Sequence, residues 1–171
     1  RLHEHADPVQ RVLGVSALPA DSPALVTLLT ADPSAEVRAA AAARCGDTAA
    51  LLAAFNSEGE QPVRDAICAA LGRVLATATD AQTAAGMLVA PECPDAVRAE
   101  VALHAQDEER RQVALGGIGD EDALVRVALD AERASVRLGA AERVHGAEAL
   151  RRLLKGAMDK DRGVADRKSV V

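Results

Sequence analysis

An all-α chain built from repeated helix pairs is the fold class this sequence predicts. Three observations predict it: an alanine- and leucine-rich composition almost without aromatics, two phrases that alternate along the chain, and helix-start residues ahead of those phrases. Of the 171 residues, 49% are apolar but only 1% aromatic, with Phe55 the single aromatic side chain. Large cores normally use aromatic anchors. Alanine, leucine, arginine and glutamate are strong helix formers, so small aliphatics in this proportion suit closely packed helices.

The first phrase is a turn with Asp or Pro, then Val-Arg, then an Ala-rich stretch. It reads DPSAEVRAAA at 32–41, QPVRDAICAA at 61–70, PDAVRAEVAL at 94–103 and ERASVRLGAA at 132–141. Weaker copies open and close the chain, at 7–18 and 159–165. The anchoring valines are Val9, Val37, Val63, Val97, Val136 and Val164, mostly spaced by about 26 to 39 residues, the period of helix-pair repeats. The second phrase is Leu-rich and follows Gly or Asp, at 21–30, 46–55, 119–129 and 146–158.

Each phrase has helical periodicity. Positions four and eight after the anchor share its face. Those columns read Ala41 and Cys45, Ile67 and Leu71, Val101 and Ala105, Ala140 and Val144, all apolar. Ser22 precedes Pro23 as an N-cap before a first-turn proline. Pro94 does the same before Asp95, and Thr79-Asp80 marks another start. Gly46-Asp47 and Gly119-Asp120 read as a helix stop followed by a cap. About twelve helices in about six pairs result. Residues 95–118 hold two Ala- and Arg-rich helices in a row; either a Leu-rich helix is missing there or 95–105 stands in for it.

The 32–45 phrase, with a Leu-rich helix before it, resembles the HEAT repeat, in the short bacterial form found in phycobilisome-lyase-like repeat proteins. Residues 108–165 also resemble the N-terminal helical repeats of an uncharacterised bacterial family that continues into a long charged helical segment. The HEAT resemblance implies a right-handed α–α superhelix, one repeat domain over 1–171, open to being a piece of a longer protein. It also implies a ladder in which the turn Asp and the Arg after Val link neighbouring repeats. Asp32 with Arg38 and Asp95 with Arg98 would be its rungs, with Arg137 in the same column. Gln61 replaces the acid before Arg64.

Net charge is −6 and the isoelectric point about 5.2, which argues against broad nucleic-acid binding. No apolar run reaches membrane-span length. Cys45, Cys68 and Cys93 form no C-x-x-C pair, fitting free thiols in a reducing cytoplasm. Cys45 falls in an apolar column, Cys68 beside one, and Cys93 in a turn where it could be exposed. His3-Glu4-His5 lacks the i, i+4 spacing of helical zinc pairs and reads as a solvated terminus. His145 ends a helix, where a cation is favoured. There is no phosphate loop, nucleophile elbow or diagnostic carboxylate pair, and no cofactor or metal is expected.

The residues left for binding are basic. Arg38, Arg64, Arg98, Arg111 and Arg137 recur at one position. Arg44, Arg64, Arg73, His104, Arg111 and Arg143 form the candidate binding surface along a concave face. A C-terminal cluster, Arg151, Arg152, Lys155, Lys160, Arg162, Arg167 and Lys168, is interleaved with Asp159, Asp161 and Asp166 and reads as a solvated face. The expected function is a non-catalytic protein-binding scaffold with another protein as partner, and oligomerisation through uncapped repeat ends near Val170 and Val171. DNA binding along the arginines and a chromophore-lyase accessory role, the latter implied by the resemblance alone, are the alternatives.

Overall fold

The computed structural model describes residues 1–168, with side chains through Lys160. The anchor Val164 and the charges Asp161, Arg162, Asp166, Arg167 and Lys168 therefore lie outside the described side chains, and Val170 and Val171 outside the described residues. All described regular structure is helical, as predicted: one 3-10 turn and eleven α-helices, with no strand among the described residues. The chain divides into two compact units, Arg1–Ala78 and Thr79–Val171.

The first unit holds the 3-10 turn Leu2–Glu4, α1 (Pro8–Val15), α2 (Pro23–Ala31), α3 (Ala35–Arg44), α4 (Thr48–Ser57) and α5 (Gln61–Thr77). Helix α3 packs between α1 and α5, while α2 lies on α3 and α4 on α5. The Val-Arg helices thus stand side by side, with the Leu-rich helices against them. The predicted columns are buried: Val37, Ala41 and Cys45 from α3, and Val63, Ile67 and Leu71 from α5, meet Leu25, Leu29 and Leu51. Each fully buried Ile or Leu contributes roughly 1.5–3 kcal/mol.

The second unit holds α6 (Ala81–Val89), α7 (Asp95–His104), α8 (Glu108–Gly117), α9 (Glu121–Asp130), α10 (Ala134–Ala141) and α11 (Ala147–Lys168). Helix α9 packs against α7 and α11, and α8 against α6 and α10. This resolves the doubled arginine-rich stretch: α7 carries Val97-Arg98 but stands in the row of the Leu-rich helices, while α8 takes the Val-Arg place.

Two expectations change at the ends. Val9 is not a buried anchor; it is 57% exposed, and the copy is registered one residue later through Arg11. At the other end the 159–165 phrase opens no new helix. Helix α11 runs unbroken across it, because it holds no proline and each of its two interior glycines, Gly156 and Gly163, costs only about 1 kcal/mol.

Helix starts follow the predicted chemistry. Asp47, Asp80 and Asp120 accept backbone N–H bonds of the first turn, as do Asp7 and Asp107. Ser22 occupies the N-cap position, but its hydroxyl makes no capping bond. The helix stops differ from expectation. No residue, glycine included, has positive φ among those described, so Gly46 and Gly119 do not terminate helices in the left-handed form. Most helices end in an extended residue, such as Asp32, Cys45, Glu58, Ala105 and Ala131.

The N-terminal 3-10 turn packs on α1, while Arg1, Leu2, Glu4, His5, Ala6 and Asp7 stay exposed, as expected of a solvated terminus. A Cβ added to buried Gly14 would lie 2.3 Å from the His3 backbone nitrogen. The Gly14→Ala variant is expected to push the 3-10 turn off α1 and to cost roughly 1–3 kcal/mol, the range for overpacking. Gly86→Ala, with nothing within 4 Å of the new methyl, should instead gain up to about 1 kcal/mol. Thermal denaturation of the two variants checks both signs.

Candidate functional site

Each helix leaves its last carbonyls without intrahelical donors. With no left-handed glycine to fold the chain back over them, another donor is required, and the recurring arginine supplies it. Arg11 donates from Nη1 to the carbonyls of His5 and Ala6, at 2.9 and 2.8 Å. Arg38 reaches those of Asp32 and Pro33, at 2.9 and 3.3 Å. Arg111 holds Ala105 and Gln106, at 2.6 and 2.7 Å. Arg137 holds Ala131 and Glu132, at 2.8 and 2.7 Å. The acceptors are always six and five residues earlier. Arg64 keeps the first contact, Glu58 O at 3.0 Å, adds Phe55 O at 2.9 Å, and stacks 4.0 Å above the Phe55 ring centre.

On Arg11, Arg38 and Arg111 the other edge of the guanidinium meets an acid, but not always the predicted one. Asp32 does not pair with Arg38 through its side chain. Its carboxylate grips Arg11 in a fork, at 2.7 and 2.9 Å. Arg38 instead forks onto Glu58, at 2.7 and 3.1 Å. The reason is geometric: an acid ending a Leu-rich helix faces the Val-Arg helix before it, so the rung is set about twenty residues ahead of the arginine. The hydrogen bond from Arg38 holds the Glu58 carboxyl at about 2, against opposing burial. Burial would raise Asp32, but the bonds from Arg11 and from the Ser34 N–H outweigh it and its pKa is lowered.

Asp95 and Arg98 pair at 2.6 Å, but within one helix at i, i+3 and not as a link between neighbouring repeats. Arg98 is buried, and donates to Leu88 O at 2.8 Å and Ala90 O at 2.7 Å. It closes the end of α6, in keeping with the changed row of α7. Asp95 also accepts the backbone N–H groups of Gly119 and Asp120, at 2.9 and 2.7 Å. Glu121 does the same for His145 and Gly146, at 2.8 and 2.7 Å. In the first unit a carbonyl serves: Gly46 N donates to Ala20 O at 2.9 Å. Burial would raise Asp95, but these N–H donors and Arg98 lower it. The N–H groups of Gly146 and His145 lower Glu121.

Most of the expected binding surface is therefore spent inside the fold. Arg111 is 3% exposed. Arg64 is held as described. Arg44 donates to Leu18 O at 2.6 Å, and Arg143 to Leu115 O and, at 2.5 Å, to Ile118 O. These last two tie a helix end to the repeat before it, because a long side chain in the last turn reaches the neighbouring helix end. Arg44 stays exposed despite its bond, as do Arg73 and His104; His104 Nε2 lies 3.4 Å from Glu100, which also binds Arg126. Cys93 is not an exposed thiol: all three cysteines are buried, and burial raises the pKa of Cys45 and Cys93. Among the described residues no group of three His, Cys, Asp or Glu could hold a metal, and no helix is long and apolar enough to cross a membrane.

Sequence reasoning missed Arg11, Glu58 and Glu121. Arg11 lacks the preceding valine, but the equal interval from Arg11 to Arg38 to Arg64 would have found it. It also missed that the acid of the rung is lost in the second unit. Where the first has Asp32 and Glu58, the second has Ala131 and Ala157. Arg111 borrows Glu108 from its own helix, and its buried Nε has no partner.

Two outcomes follow. The folded pKa of Glu58 lies below its ordinary value of 4.5, so its contribution is present above that pH and is lost as pH falls toward 2. Glu58→Gln should cost about 1.5–3 kcal/mol at neutral pH, and the gap to the parent should close across that acid window in denaturant titrations. Ala131→Asp should gain roughly 1 kcal/mol by supplying Arg111 Nε, with no gain in an Arg111→Met background, read by a double-mutant cycle.

No family model matches this sequence, and neither the curated proteins nor the solved structures yield a match.

Proposed function

We propose that this chain is a non-catalytic scaffold of HEAT-like helix pairs, of the right-handed superhelical kind, that binds another protein along its helical rows. The observation that carries this is the regular spacing of the arginine staples. From Arg11 to Arg38 to Arg64 the interval is 27 and then 26 residues, and from Arg111 to Arg137 it is again 26. Constant spacing sets equivalent helices side by side, so corresponding outward positions form rows on the surface rather than one enclosed pocket. Repeat proteins bind through such surfaces.

The chemistry of the exposed residues supports a protein partner. Val9, Leu13, Val89 and Leu138 are each more than half exposed, and apolar side chains displayed beside charges suit protein contacts. A DNA reading is weaker, because Arg11, Arg38, Arg64, Arg98 and Arg111 are committed to carbonyls or carboxylates and a net charge of −6 opposes phosphates.

Affinity capture from a cell lysate of the source organism, at low and high salt, is expected to retain a specific protein that survives the salt wash. Recovery of nucleic acid that salt releases, with no protein partner, would replace this reading.

A further inference from the structure

One cleft occurs twice, and its two versions differ in charge. In the first unit it is lined by Leu29, Asp32, Arg38, Ala54 and Glu58, among others, with a volume of about 230 Å³. In the second unit it is lined by Ala128, Ala131, Arg137, Ala157 and Lys160, among others, with a volume of about 400 Å³. The lining residues correspond position by position: Asp32 to Ala131, Arg38 to Arg137, Glu58 to Ala157. Arginine is kept, both acids become alanine, and the cleft is larger.

The first version is filled by its own chain. The Arg38 fork is closed by Glu58, with side-chain exposures of 16% and 9%. The second holds the same arginine in the same pose, since Arg137 Nη1 bonds the equivalent two carbonyls. Its Nε and Nη2 edge has no hydrogen bond or ion pair among the described residues. Lys160 adds a second cation, bonded to Leu129 O and, at 3.0 Å, to Asp130. Among the described residues, Asp130 is the one acid lining this cleft.

We propose that this cleft is a carboxylate-binding site, in which an Asp or Glu side chain of a partner protein takes the place that Glu58 fills in the first unit. A planar two-oxygen acceptor fits the exposed edge of a guanidinium in the way Glu58 fits Arg38. The cleft is open, so it suits a side chain presented by a larger partner better than an enclosed small molecule. The proposal deepens the scaffold reading and rests on it for the nature of the partner: it names an acidic segment as what the second unit recognises.

The test follows the Arg137 Nε–H signal by NMR in the full chain while acetyl-hexaglutamate amide is added. Acetyl-hexaglutamine amide and inorganic phosphate are the comparison probes. A saturable shift with the glutamate peptide, none with the glutamine peptide, is expected. Ala157→Glu restores the internal acid on an exposed position, and should weaken peptide binding by about tenfold or more while leaving the fold intact. Arg137→Lys keeps the charge but loses the fork and the Nε–H probe; its peptide affinity, read by calorimetry, should be weakened similarly. No shift at Arg137, or an equal shift in Ala157→Glu, overturns the site; phosphate binding as tight as the peptide overturns the carboxylate assignment. Lysate capture separates the two claims. A partner held equally by parent and Ala157→Glu leaves the scaffold standing without this site. A peptide response at Arg137 with no captured protein leaves the site standing without the scaffold.

Discussion

The rest of the structure depends on one interaction: a guanidinium nitrogen donating to two backbone carbonyls of the turn before its own helix. The need arises from how these helices end. Among the described residues there is no positive φ, so the chain does not curl back to cover its last carbonyls as left-handed caps do. It leaves each Leu-rich helix in an extended residue and enters the next helix within a few positions. The carbonyls around that bend point away from any intrahelical donor. Buried and unpaired, each would cost about 1–3 kcal/mol. An arginine in the first turn of the next helix satisfies two at once and fixes the angle of the bend. The column recurs because the bend recurs.

A second set of bonds joins repeats in the other direction. Asp95 and Glu121 begin α7 and α9, and each accepts two N–H groups at the start of the next helix in the same row. Orphan N–H groups at a helix start favour a carboxylate. In the first unit Ala20 O takes one such bond from Gly46, so a backbone group and a carboxylate do the same work in different repeats. This substitution explains why the second ladder has no clear sequence signal. Its acceptor can be any residue whose carbonyl faces the gap, and among the described residues two repeats use a side chain.

What the sequence made legible was what repeats as residue type. The apolar columns from Val37, Val63, Val97 and Val136 are buried as their spacing requires, and the aspartate caps bind as their position requires. Arg38, Arg98 and Arg137 each bond backbone carbonyls ahead of their own helix. Less legible was anything decided by the row in which a helix stands. Helix α7 carries the Val-Arg phrase, yet its place beside α9 gives Arg98 other acceptors. The rung from Arg38 to Glu58 joins residues 20 apart, and periodicity within a helix says nothing about that pairing. Arg44 and Arg143 look like surface charge because their bonds go to backbone atoms of another repeat. Cys93 looked exposed because it lies in a turn, but the turn is packed.

The loss of acids in the second unit has opposite consequences at its two staples, and burial decides which. Arg111 is shut in, and the alanine at 131 leaves its buried Nε without a carboxylate to meet. That is a cost borne inside the fold, only partly relieved by Glu108. Arg137 is half-buried and lines an open cleft, so its bare edge can be hydrated when nothing is bound, and the same substitution at 157 imposes little strain. A charged edge held rigidly by two backbone bonds and not neutralised by its own chain is a preorganised donor site, since little freedom is lost when an anion arrives. The staple needs only Nη1, and this division of the guanidinium lets one column of arginines keep the bends in shape throughout while leaving one of its members with an edge to offer a partner.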